Sequence, residues 1–263
     1  MFRRVVAKPP PILGLLGDSL RWQLIVELGR SDRRVGELVR LVGKPQSLVS
    51  YHLSECRNAG IVRARRSSAD GRDVYYRADL ARCRELLAEV GASLYPALSL
   101  GPTTPTATSA RLSHQRLLFV CTGNSARSQI AEALVEQQSA GRVEACSAGT
   151  HPKPLHPFAV RVMAERGLDI SGRSAKSLTR FARARFDRVI TLCDRAREVC
   201  PPLSGSPLFI HWSMPDPAAA VEGNDAYGAF RNIAEEIDER VSLLLADLAS
   251  VERHEMAPTS KKD

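Results

Sequence analysis

Cys121 is followed by Thr122, Gly123, Asn124, Ser125, Ala126, Arg127 and Ser128, which sets a cysteine and an arginine in a Cys-x5-Arg spacing. A loop of this kind can wrap its backbone N–H groups around a tetrahedral oxyanion, with a helix N-terminus and a two-pronged guanidinium adding positive potential. The same field is expected to lower the thiol pKa from about 8.5 toward roughly 3.5–7.5, making Cys121 a thiolate nucleophile at neutral pH. Ser128 can donate to that sulfur, while Gly123 and Asn124 let the loop curl. The competing reading is a buried structural cysteine followed by a chance arginine.

Two further thiols stand in Thr-Leu-Cys193-Asp-Arg-Ala-Arg-Glu-Val-Cys200-Pro. Spaced in this way, Cys193 and Cys200 could supply an attacking and a resolving sulfur. Metal binding is the alternative, but the sequence offers no second close ligand pair, and no metal is expected. Phosphate and arsenate are both tetrahedral oxyanions, so the loop alone does not choose between them. Cys146 lies in an apolar strand-like run and reads as packing. Cys56 occupies an inner helix position that a leucine could fill, and Cys83 is a single thiol on a later helical run.

These residues need elements to place them. Leu117–Val120 is a buried-strand run that delivers Cys121 before a helical pattern begins, and Arg188–Leu192 is a second strand that delivers Cys193. Strand-like runs alternating with helical patterns argue for βαβ units and a parallel sheet. Upstream, Val35, Leu38, Val39 and Val42 recur at helical spacing, Gly43 ends that run, and Pro45 opens a second helix carrying Val49, Leu53 and Cys56 inward. Gln46, Ser47, Ser50 and Tyr51 are then outward near its N-terminus, where a recognition helix touches base edges. Two strand-like runs, Ile61–Arg66 and Asp73–Arg77, form a hairpin with a basic tip, placing Arg63, Arg65, Arg66 and Arg72 to grip phosphates.

Between Tyr95 and His114 runs PALSLGPTTPTATSARLS, rich in Pro, Thr and Ser and without apolar periodicity. The expected organisation is a DNA-binding domain over 1–95, a flexible linker over 96–113, a catalytic domain over 114–250 and a tail over 251–263. Charge follows the same division: residues 1–95 hold 17 Lys+Arg against 10 Asp+Glu, and the remainder holds 20 against 19. Only the first third is basic, as a nucleic-acid module requires. The length of 263 residues and a hydrophobic content of 44% exclude a disulfide-stapled miniprotein and wholesale disorder. The longest apolar run, Leu117–Cys121, is far short of the roughly 18 residues of a membrane span. Met1-Phe2-Arg3-Arg4 imitates a signal peptide without a cleavage site after it, so the expectation is a cytoplasmic protein with free thiols.

LGDSLRWQLIVELGR, VGELVRLVGKPQSLVSYHLSECRNAGIV and the hairpin after them resemble the ArsR-type family of metalloid-responsive repressors over about residues 12–92. The resemblance implies a winged helix-turn-helix acting as a homodimer on a DNA operator, paired through its first and last helices, about 11–17 and 79–92. Members that sense arsenite through three cysteines have them where this chain shows Arg34, Gly36 and Val39, so that sensor is absent.

CTGNSARSQIAEAL, SAGT, TLC-x6-C-P and HW-x3-DP are similar to the thioredoxin-coupled arsenate reductases built on the low-molecular-weight tyrosine phosphatase fold, over about 115–250. The implied fold class is an α/β three-layer sandwich with a four-stranded parallel sheet, preceded by the α+β winged helix-turn-helix. The implied activity is arsenate reduction without a bound cofactor, with thioredoxin as external reductant. In that relay Cys121 attacks arsenic, Cys193 displaces arsenite, and Cys200 takes over Cys193. Asp216 matches the family's general acid. Some members bind potassium through an Asn, a Glu, a Ser and an Asp; Asn124, Glu132 and Ser147 match, but Lys176 stands at the Asp position, so its ammonium is expected in place of the ion. Two other readings stay open: an active phosphatase carrying a DNA-binding domain, which Ala218-Ala219 in place of tyrosine disfavours, and a regulator whose second domain only senses an oxyanion.

Overall fold

The structure is a computed structural model that describes residues 9–69, 71–95, 115–219 and 226–255. The chain divides into two compact units, Met1–Thr104 and Pro105–Asp263. The boundary between them, like the linker expected over 96–113, lies outside the described residues.

In the first unit a short helix α1 (Pro11–Leu16) is followed by α2 (Ser19–Arg30). Asp18 caps α2 by accepting from the amides of Leu20 and Arg21 at 3.0 and 2.9 Å, which satisfies two of the donors a helix start leaves open. Leu20, Leu24 and Leu28 recur every four residues and are buried. A two-residue strand β1 (Arg33–Arg34) precedes α3 (Val35–Val42), which ends at Gly43 with φ 63°, and α4 (Gln46–Asn58) starts behind Pro45. The hairpin follows as β2 (Val62–Arg66) and β3 (Val74–Ala78), antiparallel with Arg65 opposite Tyr75. β1 joins β3 on its other side. This third strand was not expected: two arginines carry no alternation, and only pairing with the hairpin makes them a strand. α5 (Leu80–Leu94) closes the unit, with Asp79 accepting from the Arg82 amide. Helix, turn, helix and wing thus stand as expected. Val49, Leu53 and Cys56 face a core they share with Leu24, Leu28, Leu38, Ile61 and Cys83.

The second unit is built on a four-stranded parallel sheet of β4 (Arg116–Cys121), β5 (Glu144–Gly149), β6 (Arg188–Thr191) and β7 (Leu208–His211), in the order β5-β4-β6-β7. It is flanked by α6 (Arg127–Gln138), α7 (Pro157–Ala164), α8 (Asp194–Val199) and α9 (Ala226–Glu255). Leu117, Leu118, Phe119 and Val120 of β4 are all buried, the continuous apolar run of a central parallel strand covered on both faces. α9 buries Phe230, Ile233, Ala234, Ile237, Val241, Leu244 and Leu248 at helical spacing and continues to Glu255, past the boundary expected at 250. Residues 256–263 of the expected tail lie outside the described residues. Because the strands are parallel, Cys121 at the end of β4, Gly149 at the end of β5 and Cys193 just beyond β6 emerge on one edge of the sheet, where open α/β sheets place ligand sites.

Candidate functional site

The loop from Cys121 to the start of α6 is held from outside by the segment that follows β5. The amides of Thr150, His151, Lys153 and His156 donate to the carbonyls of Cys121, Thr122, Gly123 and Ser125 at 2.8–3.1 Å. In a trans peptide the N–H points opposite to the C=O of the same plane. Tying these four carbonyls outward therefore turns the amides of Thr122, Gly123, Asn124 and Ala126 inward. The Asn124 amide shows the result, lying 3.2 Å from the Cys121 sulfur. Asn124 takes a left-handed conformation with φ 48°, which asparagine tolerates better than most residues. Gly149 lets the two segments meet: a Cβ there would come within 2.9 Å of backbone atoms of Thr122, Gly123 and Asn124.

The loop's side chains form one buried network. Asn124 Oδ1 accepts from the Lys176 amide at 2.6 Å and from Gln129 Nε2 at 3.1 Å, which fixes the amide orientation. Its Nδ2 then donates to Ser128 Oγ at 2.9 Å and Ser147 Oγ at 2.8 Å. With its oxygen occupied as an acceptor, Ser128 has its proton free for the Cys121 sulfur, 3.0 Å away. Ser147 donates a hydrogen bond to Glu132 Oε2 at 2.6 Å, and the Lys176 ammonium lies 2.9 Å from both Glu132 oxygens, with Arg173 at 3.2 Å. Lys176 therefore meets this network twice, through its ammonium at Glu132 and through its backbone amide at Asn124.

Arg127 is 5% exposed and is held by the carbonyls of Met214 and Pro215 at 3.2 and 3.1 Å. Its other nitrogen lies 3.3 Å from Asp216, whose carboxylate is half open to solvent at the mouth of the loop. Cys193 is buried like Cys121, and its sulfur sits 3.3 Å from the Thr122 hydroxyl. The second thiol is therefore beside the loop that carries the first. Cys200, at the far end of α8, is half-buried, and burial pushes its thiol pKa up. The structure thus gathers Cys121–Ser128, Cys193 and Asp216 around one loop and sets Cys200 one short helix away. Among the described residues no three His, Cys, Asp or Glu side chains are gathered to hold a metal ion.

Gln129 and Gly149 were not singled out as site residues from sequence. Gly149 had a signal in the phrase Ser-Ala-Gly-Thr at a strand end; Gln129, one turn into a helix, had none.

In the first unit Gln46, Ser47, Ser50 and Tyr51 are all exposed along the first turns of α4, on the face opposite Val49 and Leu53. Arg65, Arg66 and Arg72 lie on the hairpin, with Arg66 and Arg72 exposed. Arg63, at the hairpin root, is paired with Asp79 at 2.6 Å, so its charge is partly engaged within the protein. Cys56 and Cys83 are buried thiols whose pKa values burial raises, that of Cys56 to about 11. Both are core residues rather than surface groups. No helix among the described residues is long and apolar enough to cross a membrane.

Comparison with known proteins agrees with this geometry. Residues 18–64 match the family described as bacterial regulatory protein, arsR family, and residues 116–255 match low molecular weight phosphotyrosine protein phosphatase. Among curated proteins, an arsenate reductase of Halalkalibacterium halodurans is 36% identical over 48% of this chain and 91% of its own length. A glutaredoxin arsenate reductase of Synechocystis is 31% identical over 51% of this chain and 99% of its own, and an arsenate reductase of Bacillus licheniformis is 36% identical over 49% and 94%. With the Cys-x5-Arg loop at the end of a central parallel strand and the match spanning more than half its length, the chain belongs to the low molecular weight phosphotyrosine protein phosphatase family and carries an arsR-family helix-turn-helix domain ahead of that fold.

Proposed function

We propose that the protein reduces arsenate to arsenite through Cys121, Cys193 and Cys200 and binds DNA as a transcriptional regulator through its first unit. The observation that carries the enzymatic reading is the Cys193 thiol seated 3.3 Å from Thr122 of the oxyanion loop. Hydrolysis of a phosphoryl-cysteine needs only water and an acid, whereas reduction needs a second thiol within reach of the first. The names of the relatives point the same way.

The Cys121 thiolate adds to arsenic(V), and Asp216 protonates the oxygen that leaves as water. The inward amides and Arg127 hold the remaining oxyanion. The Cys193 thiolate then attacks the Cys121 sulfur; the electron pair of the sulfur–arsenic bond stays with arsenic, which departs as arsenite, and a Cys121–Cys193 disulfide forms. Cys200 attacks Cys193 and frees the Cys121 thiolate. The Cys193–Cys200 disulfide takes two electrons from an external dithiol protein. Cys193 and Cys200 flank α8, and seven residues of helix rise about 10 Å, while bridged cysteines have Cα atoms about 4.4–6.8 Å apart. α8 must therefore open for the last exchange.

Thioredoxin is the reductant the sequence suggests, and the relative named glutaredoxin arsenate reductase makes glutaredoxin the second candidate. Arsenate-dependent NADPH oxidation, coupled to thioredoxin with its reductase or to glutaredoxin with glutathione, tests the reading beside hydrolysis of p-nitrophenyl phosphate. Reduction lost in Cys121→Ser supports it; phosphatase turnover without arsenate reduction refutes it. For the first unit, the basic hairpin and the exposed Gln46, Ser47, Ser50 and Tyr51 support binding to a two-fold operator as a dimer.

A further inference from the structure

The relay explains the three thiols but not a second buried polar cluster beside one of them. Asp194, the first residue of α8 and the neighbour of Cys193, is fully buried. Its Oδ1 accepts from Ser213 Oγ at 2.7 Å and lies 3.1 Å from His211 Nε2. The other ring nitrogen of His211 is 2.8 Å from Thr191 Oγ1, and His211 is itself buried. A carboxylate can only accept, so the Nε2 proton points at Asp194. One end of α8 is thereby tied to the ends of β6 and β7 and to the segment after β7.

The other end is different. Val199 is 57% exposed, and the Cys200 sulfur faces the Pro201 carbonyl at 3.8 Å, at the outer limit of a thiol hydrogen bond. Burying a charged carboxylate is costly unless it is paired and hydrogen-bonded, so the Asp194 end resists opening as long as its partners are in place. Among the described residues no buried charged group lies at the Cys200 end, where Glu198 and Val199 are exposed.

We propose that Asp194, His211 and Ser213 are positioning residues that anchor the Cys193 end of α8, so that Cys193 stays beside the oxyanion loop while the Cys200 end unwinds and travels to it. The inference rests on the thiol-relay reading for its purpose, but its test does not require arsenate. In the full chain, alkylation by iodoacetamide is followed at each cysteine by mass spectrometry for the wild type, Asp194→Asn and Ser213→Ala. Ser213→Ala removes one hydrogen bond and is the variant that decides if Asp194→Asn does not fold.

Loss of one charge-assisted hydrogen bond is expected to speed alkylation of Cys193 by roughly tenfold through local opening. The rate at Cys121, and its protection by inorganic phosphate, should not change. An unchanged Cys193 rate in Ser213→Ala, or an equal rise at Cys121, overturns the anchor. In wild-type protein oxidised with diamide to the Cys193–Cys200 disulfide, amide exchange should quicken over 197–200 and stay slow at Leu192, whose amide donates to the Val120 carbonyl at 2.7 Å; the reverse pattern overturns it as well. Failure of arsenate to produce a Cys121–Cys193 disulfide in Cys200→Ser would refute the relay reading separately, because neither measurement above uses arsenate.

Discussion

Gly149 closes β5 directly behind the oxyanion loop, and replacing it by alanine probes how tightly that loop is held. The added Cβ would lie 2.9 Å from Asn124 N, Gly123 C and Thr122 O, all backbone atoms with no rotamer to yield. Non-bonded heavy atoms rest at about 3.5–4.0 Å, so three consecutive residues would have to recede by roughly 0.5–1 Å. The carbonyls of Cys121, Thr122 and Gly123 are tied to Thr150, His151 and Lys153, and Asn124 is tied to Ser128, Ser147 and Lys176, which leaves little room to yield. Overpacking of this kind costs about 1–3 kcal/mol of stability. A displacement approaching 1 Å in a reacting geometry costs up to about 100-fold in rate. Gly149→Ala is therefore expected to lower the urea midpoint and to slow single-turnover disulfide formation with arsenate by roughly 10- to 100-fold. Gly172→Ala is the control, since a Cβ there meets nothing within 4 Å. Wild-type stability and rate in Gly149→Ala would refute the account of how the loop is held.

Other outcomes follow from the same contacts. Cys200→Ser should complete one turnover and stop as a Cys121–Cys193 disulfide, visible by mass spectrometry; sustained turnover would mean another thiol resolves the enzyme. Because burial raises the Cys200 pKa, its thiolate is the minority form at neutral pH. Conversion of the first disulfide to the second should therefore keep accelerating as pH rises past the ordinary thiol value of about 8.5; a rate independent of pH between 7 and 9 would contradict this. Lys176→Gln takes the ammonium from the buried Glu132 carboxylate, leaving Arg173, and should cost about 1–3 kcal/mol in urea unfolding. In the DNA-binding unit, replacing Arg72 should weaken binding to every duplex and flatten its salt dependence by about one unit of slope. Replacing Gln46 or Ser50 should instead erode discrimination between operator and random DNA, as read by titration of both.

Much of this was legible from short-range patterns. The apolar run of β4 and the Cys-x5-Arg spacing fix where the nucleophile emerges, because strand, loop and helix are each set by local sequence. Gly43 and Pro45 likewise mark the turn between α3 and α4, and both act where they stand. The contacts that escaped a reading of the sequence join residues far apart. β1 exists only because Arg33 and Arg34 pair with Tyr76 and Tyr75. Gly149 matters because the parallel register sets it beside Cys121, and Asp194 meets His211 and Ser213 only once β6 and β7 are neighbours. The pairing of Arg63 with Asp79 shows the same limit, since the hairpin was expected to leave that arginine for phosphate.

The central claim is that Cys121, Cys193 and Cys200 carry two electrons to arsenic. It is tested most directly by mixing fully reduced protein with excess arsenate and no external reductant, then quantifying arsenite and mapping disulfides. The account predicts one arsenite per chain and a Cys193–Cys200 disulfide. Arsenate recovered unreduced, with all three thiols still free, would contradict it.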